Sequence, residues 1–153
     1  MSKLVPPSDF VTIAVSGGFD PIHKGHVRMI RAAAEHGHVV VIANSDDWLM
    51  RKKGYVFMKW RERAEILQSI KGVIAVYEAK DSDNSVCETL KSIKPSMFAN
   101  GGDRKSDNVP EVALCKELGI KMLWNVGGEK IQSSSELVVE ANKNKRRHNG
   151  IKL

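Results

Sequence analysis

Residues 15–26 read VSGGFDPIHKGH, and their types and spacing suit the binding of a large anion. Gly17 and Gly18 let the backbone turn sharply straight after an apolar run, and Pro21 stiffens the way out. His23 and His26 follow three residues apart, so a helix that starts here carries both imidazoles on one face of its first turn. The unsatisfied N–H groups and the positive dipole end of a helix N-terminus already favour phosphate. Two imidazoles beside them add donors, and Gly25 between the two lets a bulky anion come close. Asp20 suits orienting a histidine or holding Mg²⁺ through water, and it is equally a good turn former. The segment predicts a cradle for a triphosphate.

Other phosphate and metal devices fail against the text. There is no G-x-x-x-x-G-K-[ST], and GGFDPI does not fit G-x-G-x-x-G, so the usual signs of a P-loop kinase or a dehydrogenase are missing. His23, His26 and Asp20 lack an obvious fourth zinc ligand, and no H-E-x-x-H occurs. Cys87 and Cys115 stand singly in amphipathic stretches and read as packing thiols.

A cradle of this kind needs a strand to deliver it and a helix to receive it. Short apolar runs at residues 10–15, 38–43, 73–77, 96–99 and 121–126 read as strands. Between them, apolar stripes read as helices: Val27, Ile30, Ala33 and Ala34; Ala64, Leu67 and Ile70; Val86, Leu90 and Ile93; Val112, Cys115 and Leu118. Gly37, Gly72 and Gly119 close three of these and are expected as left-handed C-caps. A last helix is expected from about Ser133, with Glu136 three residues on as in a capping box. Strict alternation predicts a single Rossmann-like α/β domain, a five-stranded parallel sheet with helices on both faces. In such a sheet the ligand lies beyond the carboxyl ends of the strands, where the strand order reverses.

At 153 residues, 42% apolar and 27% charged, the chain has the size and composition of one globular domain. No stretch reaches the roughly 18 apolar residues of a membrane span, and the start MSKLVPPSDF lacks a signal peptide's apolar core. A cytoplasmic protein without membrane partners is expected. The net charge of +6 is concentrated in residues 139–153, which hold five basic residues against Glu140. We read residues 1–140 as the domain and 141–153 as a basic, flexible tail with no nucleic-acid role.

The string GGFDPIHKGH matches G-x-F-D-x-x-H-x-G-H at Gly18, Phe19, Asp20, His23, Gly25 and His26, and so resembles the signature of the cytidylyltransferase-like nucleotidyltransferases. NSDD after the second strand, RERAEIL in the next helix, NGGDR after the fourth strand and QSSSELV near the end extend the likeness. Within that superfamily the chain is similar to glycerol-3-phosphate cytidylyltransferases and heptose-1-phosphate adenylyltransferase domains. The resemblance implies transfer of a nucleoside monophosphate from ATP or CTP to a phosphorylated sugar or polyol, with Mg²⁺ accompanying the triphosphate and a homodimer as the assembly. Coenzyme adenylyltransferases of the same superfamily and a non-catalytic nucleotide-binding module are the alternatives.

The resemblance also implies residue roles. His23 and His26 grip the triphosphate, and Arg63 joins them as a catalytic cation. Gly17, Gly18, Phe19, Asp20 and Gly25 form the nucleotide cradle. Gly101 and Asp103, within FANGGDRKSDN, lie beside the ribose and base. Ser133, Ser134 and Ser135 offer hydroxyls and N–H groups to phosphate, and Lys52 and Lys53 face the acceptor. The chain departs from the family pattern at the end of the serine motif, where Val138 stands in place of a basic residue and Gln132 in place of isoleucine. That cation's work passes to Lys130 or Arg104, or is absent.

Overall fold

A computed structural model describes residues 10–80, 82, 83, 85–101, 110–128 and 133–150. Its elements run β1 (Thr12–Gly17), α1 (Lys24–Ala33), β2 (His38–Ala43), α2 (Asp46–Lys53), α3 (Trp60–Gln68), β3 (Val73–Glu78), α4 (Cys87–Ile93), β4 (Met97–Ala99), α5 (Glu111–Leu118), β5 (Lys121–Leu123) and α6 (Ser134–Gly150). The five strands form one parallel sheet in the order β3-β2-β1-β4-β5. The order reverses between β1 and β4, which makes the carboxyl ends of those two strands the binding crevice of the fold.

Helices cover both faces, as the alternation predicts. One core gathers Ile13, Val15, Val39 and Val41 of the sheet with Ile30 and Ala33 of α1 and Leu67 of α3. The other gathers Ala14, Val40, Ile42 and Phe98 with Val86, Leu90 and Cys115 beneath α4 and α5. Alternate residues of β1 and β2 therefore face opposite cores, and residues 13–15 and 39–43 are unbroken apolar runs because neither face meets water there. Among the described residues, no helix is long and apolar enough to cross a membrane.

Several local expectations are corrected. Between β2 and the helix that carries Ala64 and Leu67, the chain forms one more helix than the apolar stripes indicate, α2. Ser45 Oγ accepts from Trp48 N–H at 3.1 Å, Asp46 and Asp47 fill the first turn, and Gly54 at φ 84 ends the helix. Gly119 is the left-handed cap expected of it (φ 74), whereas α1 ends at Ala34 in a right-handed conformation. Gly37 is needed instead because a Cβ there would stand 2.8 Å from the Val11 carbonyl oxygen. Gly72 takes a positive φ of 101, but the C-cap of α3 is Ser69. β5 stops three residues early, since Asn125 turns the chain at φ 58. Residues 141–150, set apart as a tail, continue α6 without a break, and 151–153 lie outside the described residues. On the outer strand β3, pairing with β2 slips between Val39 and Val40, which leaves Ile74 as an unpaired, half-exposed bulge.

Candidate active site

The segment after β1 folds back over the end of the sheet. Its positive φ falls on Phe19 (φ 53) rather than on Gly17 or Gly18. The glycines serve close packing: a Cβ on Gly17 would stand 3.3 Å from the Phe19 ring, and one on Gly18 3.2 Å from Leu49. Phe19 itself is buried among the core residues and meets the edge of the His26 ring at 4.8 Å between centroids. It supports the cradle from below, 2% exposed.

His23 is the N-cap of α1, not a member of its first turn. Its Nδ1 accepts from Gly25 N–H at 3.1 Å, and His26 Nδ1 accepts from His23 N–H at 3.2 Å, a capping box built from two histidines. The rings stack at 3.7 Å between centroids, 22° from parallel. An imidazole nitrogen that accepts a backbone N–H carries no proton, so each neutral ring holds its proton on Nε2. The cap thus sets both tautomers, and both rings become Nε2–H donors at the head of a helix.

Asp20 is fully buried, and its carboxylate accepts from Phe57 N–H at 2.6 Å and Met58 N–H at 2.5 Å. Asp20 thereby fastens the loop between α2 and α3 to the cradle. Arg63 is fully buried as well. Its Nε donates to Met58 O at 2.9 Å, its Nη1 to Gly18 O and Asn44 O at 2.7 Å each, and its Nη2 to Asp46 Oδ1 at 2.7 Å. With four protein acceptors around its guanidinium, Arg63 sits as a brace joining the β1 loop, the end of β2, α2 and the start of α3. Among the described residues, no group of three or more His, Cys, Asp or Glu could hold a metal ion.

The serine motif reaches the same place from the far end of the chain. Ser133 Oγ accepts from Glu136 N–H at 3.3 Å, one half of the expected capping box. Ser134, buried, donates its hydroxyl to the Pro21 carbonyl at 2.7 Å, and Ser135 is exposed on the first turn of α6. The structure therefore brings together Gly17, Gly18, Phe19, Asp20, His23, Gly25, His26, Arg63 and Ser134. Lys52 is exposed and Lys53 half-buried in the last turn of α2. Gly101 follows the end of β4, and Asp103, Arg104 and Lys130 lie outside the described residues.

One residue beside the crevice was missed. Asn100, directly after β4, is 4% exposed, and its Nδ2 has no hydrogen-bond partner among the described residues. The letters NGGDR drew attention to the glycines and the aspartate, and only burial without a partner sets Asn100 apart.

Comparison with known proteins fits this geometry. The family model described as cytidylyltransferase-like matches residues 14–147. The chain is 31% identical over 112 residues to the bifunctional protein HldE of Desulfatibacillum aliphaticivorans, covering 70% of this chain but 22% of that protein. It is 32% identical to the FAD synthase of Pyrococcus horikoshii (73% and 76% covered) and 30% identical to the D-beta-D-heptose 1-phosphate adenylyltransferase of Bordetella bronchiseptica (70% and 67%). It therefore spans under a quarter of the length of the bifunctional relatives. The same fold occurs in the crystal structure of the lipopolysaccharide core biosynthesis protein of Thermoplasma volcanium, with a TM-score of 0.64 and 22% identity over 80% of this chain and 98% of that one.

Proposed function

Because this chain belongs to the cytidylyltransferase-like family, we propose that it is a nucleotidyltransferase that moves the nucleoside monophosphate of ATP, ahead of CTP, onto a phosphorylated sugar or polyol. A phosphate oxygen of the acceptor attacks the α-phosphorus. The bond from that phosphorus to the bridging α–β oxygen breaks, and pyrophosphate leaves with the electron pair. The acceptor's phosphate is already ionised at neutral pH, so no side chain has to be activated as a nucleophile. The protein's task is to align two polyanions and to neutralise the charge that grows on the departing pyrophosphate. Magnesium enters with the triphosphate, as part of the substrate.

The observation that carries this reading is the stacked His23–His26 pair, whose caps set both rings as Nε2–H donors at the head of α1. Donors fixed before the substrate arrives need no reorganisation when charge develops. Lys52 and Lys53, on the last turn of α2, supply cationic charge for the acceptor's phosphate. Ser133 and Ser135 offer hydroxyls at the head of α6, the second helix N-terminus at the crevice.

A second reading, adenylyl transfer to a flavin mononucleotide, is supported by the similarity to the archaeal FAD synthase along three quarters of that protein. Pyrophosphate release measured with ATP, CTP, GTP and UTP against heptose 1-phosphate, glycerol 3-phosphate and flavin mononucleotide separates the two. Turnover with a sugar or polyol phosphate supports the first reading, turnover with the flavin alone replaces it by the second, and nucleotide binding without turnover on any acceptor overturns both.

A further inference from the structure

We propose that Asn100 is a nucleotide-contacting residue whose amide donates to the nucleoside half of the bound triphosphate; the inference rests on the nucleotidyltransferase reading above. β4 pairs with β1 at Ile13↔Met97 and Ala14↔Phe98, and continuing that register sets Asn100 beside Ser16, just beneath the glycine loop. Its main chain is held on both sides. The N–H donates to Leu123 O at 2.8 Å, and the carbonyl accepts from Val126 N–H at 2.9 Å. The residue cannot swing out of the crevice floor without breaking the link to β5. Yet its side-chain Nδ2, buried, meets no acceptor among the described residues.

A buried donor left without a partner is a cost that folded proteins seldom carry, and it calls for an explanation. Here the position supplies one. Asn100 stands at the point where the strand order reverses, the binding crevice of this type of sheet. Asn100 directly follows β4, across the reversal from the loop that ends in His23 and His26 at the head of α1. With the phosphates given to the histidines, the sugar and base are left to it. Ribose hydroxyls and the ring nitrogens or carbonyls of a base are neutral acceptors, and a neutral amide donor suits them.

The test compares wild type with Asn100→Leu, close in volume and apolar, and Asn100→Ala, by thermal unfolding without ligand and by titration with MgATP, AMP and pyrophosphate. Since the donor has no partner among the described residues, removing it should leave the unfolding temperature unchanged or raise it. Affinity for ATP and AMP should fall about 10-fold, the order expected for one lost hydrogen bond to a ligand, while pyrophosphate affinity holds. Unchanged ATP affinity in both variants overturns the proposal. So does a loss of affinity that only tracks a fall in unfolding temperature, or an equal loss for pyrophosphate. Wild type that binds no nucleoside triphosphate at all overturns the nucleotidyltransferase reading, and Asn100's role with it; wild type that binds while the variants bind equally well removes Asn100 alone.

Discussion

The Arg63 guanidinium donates to the Gly18 carbonyl at 2.7 Å, tying a helix to a loop 45 residues earlier in the chain. The same group also holds Asn44 O, Met58 O and Asp46, so its removal strands three main-chain carbonyls. Arg63→Met should lower stability by about 3–5 kcal/mol, the range for breaking a buried charged network from one side. Arg63→Lys should recover little of it, because an ammonium cannot reproduce the planar fork. Urea unfolding measures both. A variant with full stability but no turnover would restore the direct catalytic role.

On the proposed function His23 and His26 do two jobs, and substitution separates them. Alanine at either position removes one half of the α1 capping box, costing about 1 kcal/mol of stability, and removes a donor to the triphosphate, lowering turnover about 10²- to 10³-fold. His23→Asn keeps a good N-cap but no imidazole. It should unfold near the wild-type midpoint while turnover stays as low as in His23→Ala. Recovery of activity in the asparagine variant would mean that the ring matters only as a cap.

Asp20→Ala should release the loop between α2 and α3. Two main-chain N–H groups, of Phe57 and Met58, lose a buried carboxylate, and hydrogen bonds to a charged group are worth about 1.5–3 kcal/mol each. Limited trypsin digestion should then cut at Lys53 or Lys59 well before the rest of the domain. Equal cleavage times in variant and wild type would show that the loop is held by other means.

Burial pushes the Cys115 thiol up to about 11 from an ordinary 9.0, with Glu111 and Cys87 adding to the rise. At pH 8 Cys115 is thus a protonated thiol, and alkylation of the folded protein should label Cys87 first. The unfolded chain loses this proton at lower pH than the folded one. Stability should therefore be unaffected below pH 9 and fall as pH rises from 9 to 11. Replacement of Cys115 by alanine should flatten that fall in a pH series of urea midpoints.

Much of the architecture was written in local pattern. β1 and β2 carry apolar runs at residues 13–15 and 39–43, buried on both faces, and strands of that kind announce a covered parallel sheet. α2 was hidden because Trp48, Leu49 and Met50 are consecutive and only Leu49 is buried, so no helical stripe forms; Ser45 and Gly54 marked its ends without a period between them. At the site, motif spacing located the histidines but not their role as caps, which depends on where the helix begins. Arg63 and Asp20 were located without the main-chain partners that hold them. A motif fixes where a charged residue stands along the chain, whereas the choice between ligand and brace is made by carbonyls and N–H groups that arrive from other loops.

The slip at Ile74 bears on how the molecule meets its own copies. β3 is the outermost strand beside β2, and a straight apolar rim there would invite a neighbour to add on in register. With one residue out of step, the rim's donors and acceptors no longer repeat at an even interval, and lateral growth of the sheet loses its template. The bulge thereby makes that border a poorer template for a neighbouring strand.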